Sequence, residues 1–221
     1  MNEETNKHAS DTVESTIRAR ATFKVFGDPD NPVQFSSETV EHSRRTVLES
    51  LRTAGWAPFH HARDVDGLAE PWRAHVLWHD RCQELAPQLR EWFPEMKPTN
   101  KIPPMMCACG ALVLVTWLPQ AGEDPAPAQR AIDEEHIAAT GAMVQNLLLL
   151  LTAHGMGTYW SSGGQLGSTK FLETIGAGSN EKLLAAVFIE YPETLTDDKP
   201  RKPGKHRDRR SDGWIREVSD V

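Results

Sequence analysis

Apolar residues recur at helical spacing in two long segments of this chain. In residues 37–54, one helical face carries Val40, Val47, Leu48, Leu51 and Ala54. Gly55 follows directly and is well placed to end that helix. A second seam runs through a segment that is apolar on most of its circumference, at Ile132, Ile137, Gly141, Val144, Leu148 and Leu151. The first pattern predicts a surface helix, and the second predicts a helix at the domain centre or at a dimer interface.

Three runs rich in β-branched and aromatic residues predict strands. They cover residues 74–78, 111–118 and 182–191, and a helical stretch from Asp80 to about Trp92 separates the first two. Residues 214–218 form a weaker candidate strand near the end of the chain. Helices and strands do not alternate regularly, which favours an α+β fold over a doubly wound sheet.

The remaining segments lack a periodic pattern. Residues 1–16 are polar, so we expect a disordered or mobile tail there. Residues 17–221 have the length of one domain, and we expect a single domain with a C-terminal extension. Residues 56–72 carry two prolines, a glycine and several charges, and are predicted to form a long loop. Long ordered loops in compact domains are often functional.

Charge and cysteine content argue against several classes of protein. Thirty-one acidic residues outnumber 24 lysines and arginines, and the formal charge of -7 should repel nucleic acid and anionic membranes. The three cysteines are odd in number and no secretory segment is recognisable, which favours a reducing cytoplasm. The longest apolar run falls short of the roughly 20 residues of a membrane span. We therefore expect a cytoplasmic protein that binds neither nucleic acid, membrane nor metal.

Residues 136–164 end in a segment suited to a flat, anionic cofactor. The apolar helix pattern leads directly into the sequence TYWSSGG. Close backbone approach and hydrogen-bond donors would come from Gly155, Gly157, Gly163, Gly164, Ser161 and Ser162. A flavin requires a donor near N5 and positive or dipolar charge near N1 and the C2 carbonyl. A capped helix followed by a buried strand is the alternative interpretation.

Two basic stretches have the residue types that hold a phosphate group. Near the start, cations and a hydroxyl fall close together at Arg18, Arg20, Thr22 and Lys24. In the C-terminal extension, the candidates for completing a clamp are Lys205, Arg207, Arg209 and Arg210. The alternatives are solvated basic patches, or an arm that binds an acidic partner or nucleic acid.

The predicted loop supplies the last group of candidates. Glu70 stands in a Glu-Pro-Trp sequence directly before a predicted strand, where its carboxylate could accept a hydrogen bond from a ring imide. Phe59 and His60, with His61 beside them, could line the edge of the ring. Packing of the Pro-Trp pair and simple surface exposure of the histidines are the competing interpretations.

Taken in order, these segments resemble the nitroreductase family of FMN-dependent oxidoreductases. The matching sequences are RATFKVF, an AP before a loop that ends in EPWRAHVL, the run QNLLLLLTAHGMGTYWSSG, and a late KxR. The resemblance implies an α+β fold with a mixed, mainly antiparallel sheet flanked by helices. It also implies an intertwined homodimer with an FMN at each of two sites formed by both subunits, in which the central apolar helix is a dimer element.

The resemblance also implies roles by position. The phosphate contacts would be Arg20 and Thr22, with Lys205 and Arg207 or Arg209 as the C-terminal clamp. Lys24 would lie near the pyrimidine side of the ring, and the partner subunit would approach the ring with Pro58, Phe59 and His60. Ser161, Ser162 and Gly163 would offer backbone donors. The flavin would carry the chemistry, so no side chain is assigned as an acid or base, and Lys24 and Glu70 are candidate tuning residues.

Two departures from the family pattern concern the contacts at the ring edge and the substrate pocket. Family members carry Asn-x-Gln-Pro-Trp where this chain has Leu-Ala-Glu-Pro-Trp at residues 68–72, so a carboxylate replaces an amide. The loop between Pro58 and Pro71 is longer than usual and rich in charge, which indicates a reshaped substrate pocket.

Three functions remain open from the sequence. The first is transfer of hydride from NADH or NADPH through bound FMN to a nitroaromatic, quinone or enone. The second is oxidation of a natural-product or peptide-derived substrate, with oxygen as the final acceptor. The third is a non-catalytic flavin-binding or interaction protein.

Overall fold

A computed structural model describes residues 3–120, 126–195, 201–202 and 209–218. The helices are α1 (Glu3–Ala19), α2 (Ser37–Ala54), α3 (His79–Trp92), α4 (Ile102–Ala108), α5 (Pro127–Ala153) and α6 (Thr169–Thr174). The strands are β1 (Thr22–Phe23), β2 (Trp72–Trp78), β3 (Ala111–Trp117), β4 (Gly157–Ser161), β5 (Lys182–Glu190) and β6 (Arg201–Lys202). Short 3-10 helices cover Gly164–Gly167 and Pro192–Thr194.

The strands form one mixed sheet in the order β2-β3-β5-β4-β1-β6. Four of the five neighbouring pairs are antiparallel, and only β1 and β4 run parallel. The chain therefore has the α+β fold with a mainly antiparallel sheet that its sequence predicted. β2 and β6 are the edge strands, so residues attached to β2 and residues attached to β1 lie toward opposite sides of the sheet.

Two apolar clusters cover the two faces of the sheet, because successive side chains of a strand point to opposite faces. Val113 and Val187 face a cluster that includes buried residues of α2 and α5. Leu112 and Phe188 face a second cluster with buried residues of α3, α4 and α6. β3 is buried on both faces up to Thr116, which explains why its sequence is continuously apolar.

α5 is the central helix that the apolar seam predicted. Val144, Leu148 and Leu151 are buried in the first cluster, whereas Ile137 is 37% exposed. Among the described residues, α5 is also the one helix whose length and composition would allow it to cross a membrane. In this fold 44% of its most apolar stretch is buried. An apolar face of α5 is therefore left uncovered by the described residues of a single chain.

Several elements differ from the sequence predictions. Residues 3–16, which belong to the expected tail, are helical as part of α1, and α1 lies against Leu149 and Leu150 of α5. Residues 214–218 form no strand, and β6 pairs with β1 at residues 201–202 instead. α4 was not predicted, although Pro103 and Pro104 in its first turn are compatible with a helix start.

Candidate functional site

β1 is the point at which three distant parts of the sequence meet. Thr22 pairs with Thr158 of β4 on one side and with Lys202 of β6 on the other. The N-terminal basic stretch, the Gly- and Ser-rich segment and a basic C-terminal segment are therefore neighbours. The sequence predicted that these three segments would cooperate, but it did not predict the backbone pairing that joins them.

Lys24 lies directly after β1 and contacts an aromatic ring of β4. Its Nζ is 4.3 Å from the centre of the Tyr159 ring, a distance typical of a cation–π interaction. Tyr159 in turn stacks on Phe188 of β5, with ring centres 6.2 Å apart and planes inclined by 25°. Tyr159 was not singled out from the sequence, because nothing local to it indicates a partner in β1.

Gly157 allows β1 and β4 to approach each other. A Cβ atom at this position would lie 3.0 Å from Phe23 Cγ and 2.8 Å from Leu195 Cδ2. Real Cβ atoms essentially never come as close as the distance to Leu195, and the distance to Phe23 is tighter than most real Cβ contacts. A side chain at position 157 would therefore force Phe23 and Leu195 to move, and with them the short strand β1.

β4 is the strand that the alternative interpretation expected after the central helix, and it leads into a turn at the glycines predicted to meet a cofactor. Gly157–Ser161 is a strand, and the chain then turns through Gly163 and Gly164 with φ values of 88° and 50°. The Gly163 amide donates to Ser161 Oγ at 3.1 Å, which stabilises the turn from within. A Cβ at Gly163 would overlap Leu183 Cδ2. Because Ser162 and Gly164 are exposed, they are better placed than Gly163 to meet a ligand.

The predicted phosphate contacts are placed only in part. Arg18 is exposed in the last turn of α1, and Arg20 is half-buried just before β1. Arg209 is exposed. Lys205 and Arg207 lie outside the described residues. The described cations nearest in sequence to the β1 junction are therefore Arg18, Arg20 and Lys24.

The predicted loop is fixed to the rest of the fold by Arg63. Its Nε and Nη2 donate to the Pro119 carbonyl at 3.1 and 2.8 Å, and Nη2 also donates to the Gln120 carbonyl at 3.0 Å. The Gln120 amide donates to Asp133 of α5 at 2.8 Å. Arg63 thus connects the loop to the segment that leaves β3 and approaches α5.

A second arginine shapes the end of the same loop. Arg73 donates from Nη1 to the Glu70 carbonyl at 2.9 Å and from Nη2 to the Val65 carbonyl at 2.8 Å. Asp64 and Asp66 adopt φ values of 49° and 58°, which are uncommon outside glycine. Guanidinium groups and local turns therefore hold the loop in one shape.

The start of the loop packs against β2 and α5. Phe59 meets Trp72 edge to face, with ring centres 5.4 Å apart and planes at 90°. A cavity of about 310 Å³ separates Phe59 and His60 from the middle of α5. His61 Nε2 lies 3.5 Å from a carboxylate oxygen of Glu135, and His60 Nδ1 lies 3.9 Å from the same oxygen.

A single chain does not bring all the predicted site residues together. Pro58, Phe59, His60 and Glu70 lie beside β2, whereas Thr22 and Lys24 belong to the β1 side. Four strand spacings separate β2 from β1, a distance of about 19 Å. The predicted site residues therefore fall into two groups, the two candidate half-sites, one toward each side of the sheet.

The strongest pKa shifts lie away from both half-sites. Burial raises the pKa of the Cys107 thiol, and a hydrogen bond with Cys82 together with burial raises that of Cys109 further. All three cysteines are buried free thiols. Because the reactive form of a cysteine is the thiolate, these residues have no features of a nucleophile.

A buried carboxylate fastens the start of β5. Burial opposes ionisation of Glu181, but hydrogen bonds from Thr116, His75 and the Gly178 amide lower its pKa overall. His75 Nε2 lies 2.6 Å from Glu181 Oε2, and the Gly178 amide donates to Oε1 at 2.8 Å. These contacts join β2, β3 and the loop before β5. Glu181 therefore stabilises the fold.

Comparisons with known proteins agree with this architecture. The model of the Nitroreductase family matches residues 34–189. A Bacillus subtilis (strain 168) protein, YfhC, assigned as an NAD(P)H nitroreductase, is 26% identical over 207 residues, covering 90% of this chain and 94% of its own.

Solved structures show the same fold. A nitroreductase-like family protein from Bacillus cereus is 23% identical, covers 90% of this chain and 94% of its own, and gives a TM-score of 0.58. A nitroreductase with bound FMN from Bacteroides fragilis NCTC 9343 is 16% identical and covers 99% of this chain and 100% of its own, with a TM-score of 0.56.

Proposed function

Because the chain belongs to the nitroreductase family, we propose that it is an FMN-dependent oxidoreductase. In this proposal the enzyme takes a hydride from NADH or NADPH and passes it to a nitroaromatic, a quinone or an enone. The two substrates use the same binding face in turn, in a ping-pong sequence. Bound FMN supplies the redox chemistry through N5, and the protein contributes binding, orientation and electrostatics.

The β1 junction is the observation that supports this proposal. Three segments with the residue types of an FMN site are separated along the chain, yet backbone pairing at Thr22 makes them neighbours. Two further features are consistent with such a group. Gly164 is exposed, so its backbone is open to close approach, and Thr158 Oγ1, opposite Thr22, is buried without a hydrogen-bond partner among the described residues.

The residues of the junction have distinct roles in the proposal. Arg18, Arg20 and Thr22 hold the phosphate, together with basic residues of the C-terminal extension. Lys24 provides positive charge near N1 and the C2 carbonyl, where negative charge develops on reduction. Ser162 and Gly164 face the ring edge with their backbone amides. The stack of Phe188 and Tyr159 keeps the Lys24 ammonium in place.

The second half-site is explained by a homodimer. Phe59, His60 and Glu70 lie beside β2, and β2 is about 19 Å from β1 of the same chain, so in this proposal they reach a flavin that is bound by a partner subunit. The exposed apolar face of α5, including Ile137, supports an interface between two copies. The buried free thiols fit the reducing cytoplasm proposed as the location of the enzyme.

An anaerobic absorbance experiment tests the proposal directly. The purified 221-residue chain, reconstituted with FMN, should show bound oxidised flavin that NADH or NADPH bleaches. Menadione or a nitroarene should then restore the oxidised spectrum. A chain that takes up no FMN, or tightly bound FMN that neither nicotinamide reduces, would contradict the proposal.

A second candidate function is an oxidase that desaturates a larger substrate. The loop held by Arg63 and Arg73, with Glu70 at its end, is the observation that favours it, because a shaped pocket suits a specific substrate. Oxygen-dependent turnover without any nicotinamide would distinguish this function from the first.

A further inference from the structure

The cavity beside α5 has the size and character of a small-molecule site. Its volume is about 310 Å³, and its walls include Phe59 and His60 from the loop and Glu135, Ala138 and Ala142 from α5. Small-molecule sites of this size are mostly apolar, with a few polar groups that fix orientation. Here the apolar walls carry one carboxylate and one imidazole.

The shape of the cavity suits a flat ring. Ala138 and Ala142 lie one helical turn apart, and their small side chains leave space open on the α5 side of the cavity. On the loop side, Phe59 is held by its edge-to-face contact with Trp72. The His136 ring of α5 donates from Nε2 to the His61 carbonyl of the loop at 3.1 Å. The loop is therefore held to α5 while a space remains between them, and an aromatic ring fits that space.

The charge at the rim favours a cation. The Glu135 side chain is 50% exposed, and its nearest imidazole nitrogens lie 3.5 and 3.9 Å away. Both distances are longer than that of a good hydrogen bond, so the carboxylate retains the capacity to accept from a ligand. The chain as a whole carries a formal charge of -7, which adds to the preference for positive ligands.

We propose that this cavity binds the aromatic end of the electron acceptor, and that Glu135 selects acceptors whose ring carries a cationic group. This inference rests on the proposed function, because it names the class of acceptor that the enzyme uses. The occupant is a small molecule, since the volume lies at the lower end of the range for such sites and the carboxylate complements the charge of a cation.

Equilibrium binding of three matched probes tests the inference. Para-nitrobenzylamine is a cation, para-nitrobenzyl alcohol is neutral, and para-nitrobenzoate is an anion of similar size. Calorimetric titration into the FMN-loaded protein, without nicotinamide, measures binding in the absence of turnover. The cation should bind about three- to fivefold more tightly than the alcohol, the range of a half-exposed ion pair, and the anion most weakly.

Two substitutions separate the role of Glu135 from a general charge effect. Glu135→Gln should abolish the preference for the cation and leave the affinity for the alcohol unchanged. Glu134→Gln changes the net charge equally, but Glu134 is an exposed neighbour that does not line the cavity. It should keep the preference. Equal binding of all three probes by the unmodified protein, or the same loss in both variants, would overturn the inference.

Filling the cavity provides an independent check. Ala138 is exposed on the cavity side of α5, so Ala138→Phe should weaken all three probes, whereas Ala131→Phe on an exposed position outside the cavity should not. An unchanged affinity in Ala138→Phe would overturn the proposal.

Failure of this inference is distinguishable from failure of the proposed function. A protein with a normal, reducible flavin that binds no probe contradicts the inference alone. A protein that takes up no FMN contradicts the proposed function, and the same titrations on the flavin-free chain still decide whether the cavity prefers a cation.

Discussion

The two half-sites are held in place by different interactions. On one side, β1 and β6 have two residues each, and Thr22 pairs with a single residue of β4 and a single residue of β6. On the other side, β2 pairs with β3 along all seven residues, and two arginines hold the loop that precedes it. The first side joins distant segments through short strand pairs, whereas the second combines a long strand pair with hydrogen bonds inside the loop.

This difference separates the expected effects of mutation. The β1 junction contains strand pairs of only one and two residues, so a ligand that binds there should add to its order, and substitutions should change FMN affinity. The loop has its own hydrogen bonds, so substitutions there should change the choice of acceptor and the stability of the fold. Four substitutions, in order of decreasing free-energy change, should reveal whether the two sides respond separately.

Gly163→Ala should have the largest effect. The substitution places a Cβ at a φ of 88° and against Leu183, so strain and repacking should lower the free energy of unfolding by about 2–3 kcal/mol. Gly176→Ala is the matched control, since Gly176 has a φ of 77° but no neighbouring atom within 4 Å of the place that its Cβ would take. Urea denaturation should be measured for both variants. The control should lose only about 1 kcal/mol of unfolding free energy. Equal costs would contradict the role of Leu183.

Arg63→Gln should affect the loop and not the cofactor. Loss of the contacts with the Pro119 and Gln120 carbonyls should cost about 2 kcal/mol of stability, because a charged donor to half-buried carbonyls is removed. KM for the acceptor should rise, while the dissociation constant of FMN, measured by quenching of flavin fluorescence, should stay within about twofold. A large loss of FMN affinity would show that the two sides are not separable.

Elements with a strong local pattern were predictable from the sequence. The apolar stripe and Gly55 correctly predicted where α2 ends, and the continuous apolar runs correctly predicted β3 and β5. α1 was missed because it has only a sparse apolar face, with Val13 as one contact with α5. β6 was missed because Arg201 and Lys202 have little strand preference and pair with β1 only through the tertiary fold.

The sequence indicated which segments contribute to the candidate site, but not which of their residues contact one another. The residue types in the N-terminal basic stretch and around Ser161 indicated a cofactor, because chemistry depends on residue type. Arg63 and Arg73 donate to backbone carbonyls, which have no signature in the sequence. The contact between Lys24 and Tyr159 joins positions far apart along the chain, so no local pattern could reveal it.

Lys24→Gln should test the β1 side. Removal of the ammonium should weaken FMN binding about fivefold, equivalent to about 1 kcal/mol, and leave the stability of the flavin-free chain nearly unchanged. Lys170→Gln is the control, because Lys170 Nζ lies 5.1 Å from the Trp92 ring and so has a similar contact away from the junction. Fluorescence titration with FMN should show no change for the control. If both variants lost affinity equally, a general charge effect would replace the specific role of Lys24.

The smallest effect should be an acid-dependent loss of stability on the β2 side. The pKa of Glu181 is lowered in the folded protein, so its contribution is present above the ordinary carboxyl value of 4.5 and is lost as the pH falls through the folded value. Between neutral pH and about pH 4, Glu181→Gln should show a shallower loss of urea stability than the unmodified chain, by less than about 1 kcal/mol. Glu173→Gln, on an exposed position of α6, should follow the unmodified chain. An identical pH dependence in all three proteins would mean that the contacts of Glu181 with His75 and Thr116 do not stabilise this side of the sheet.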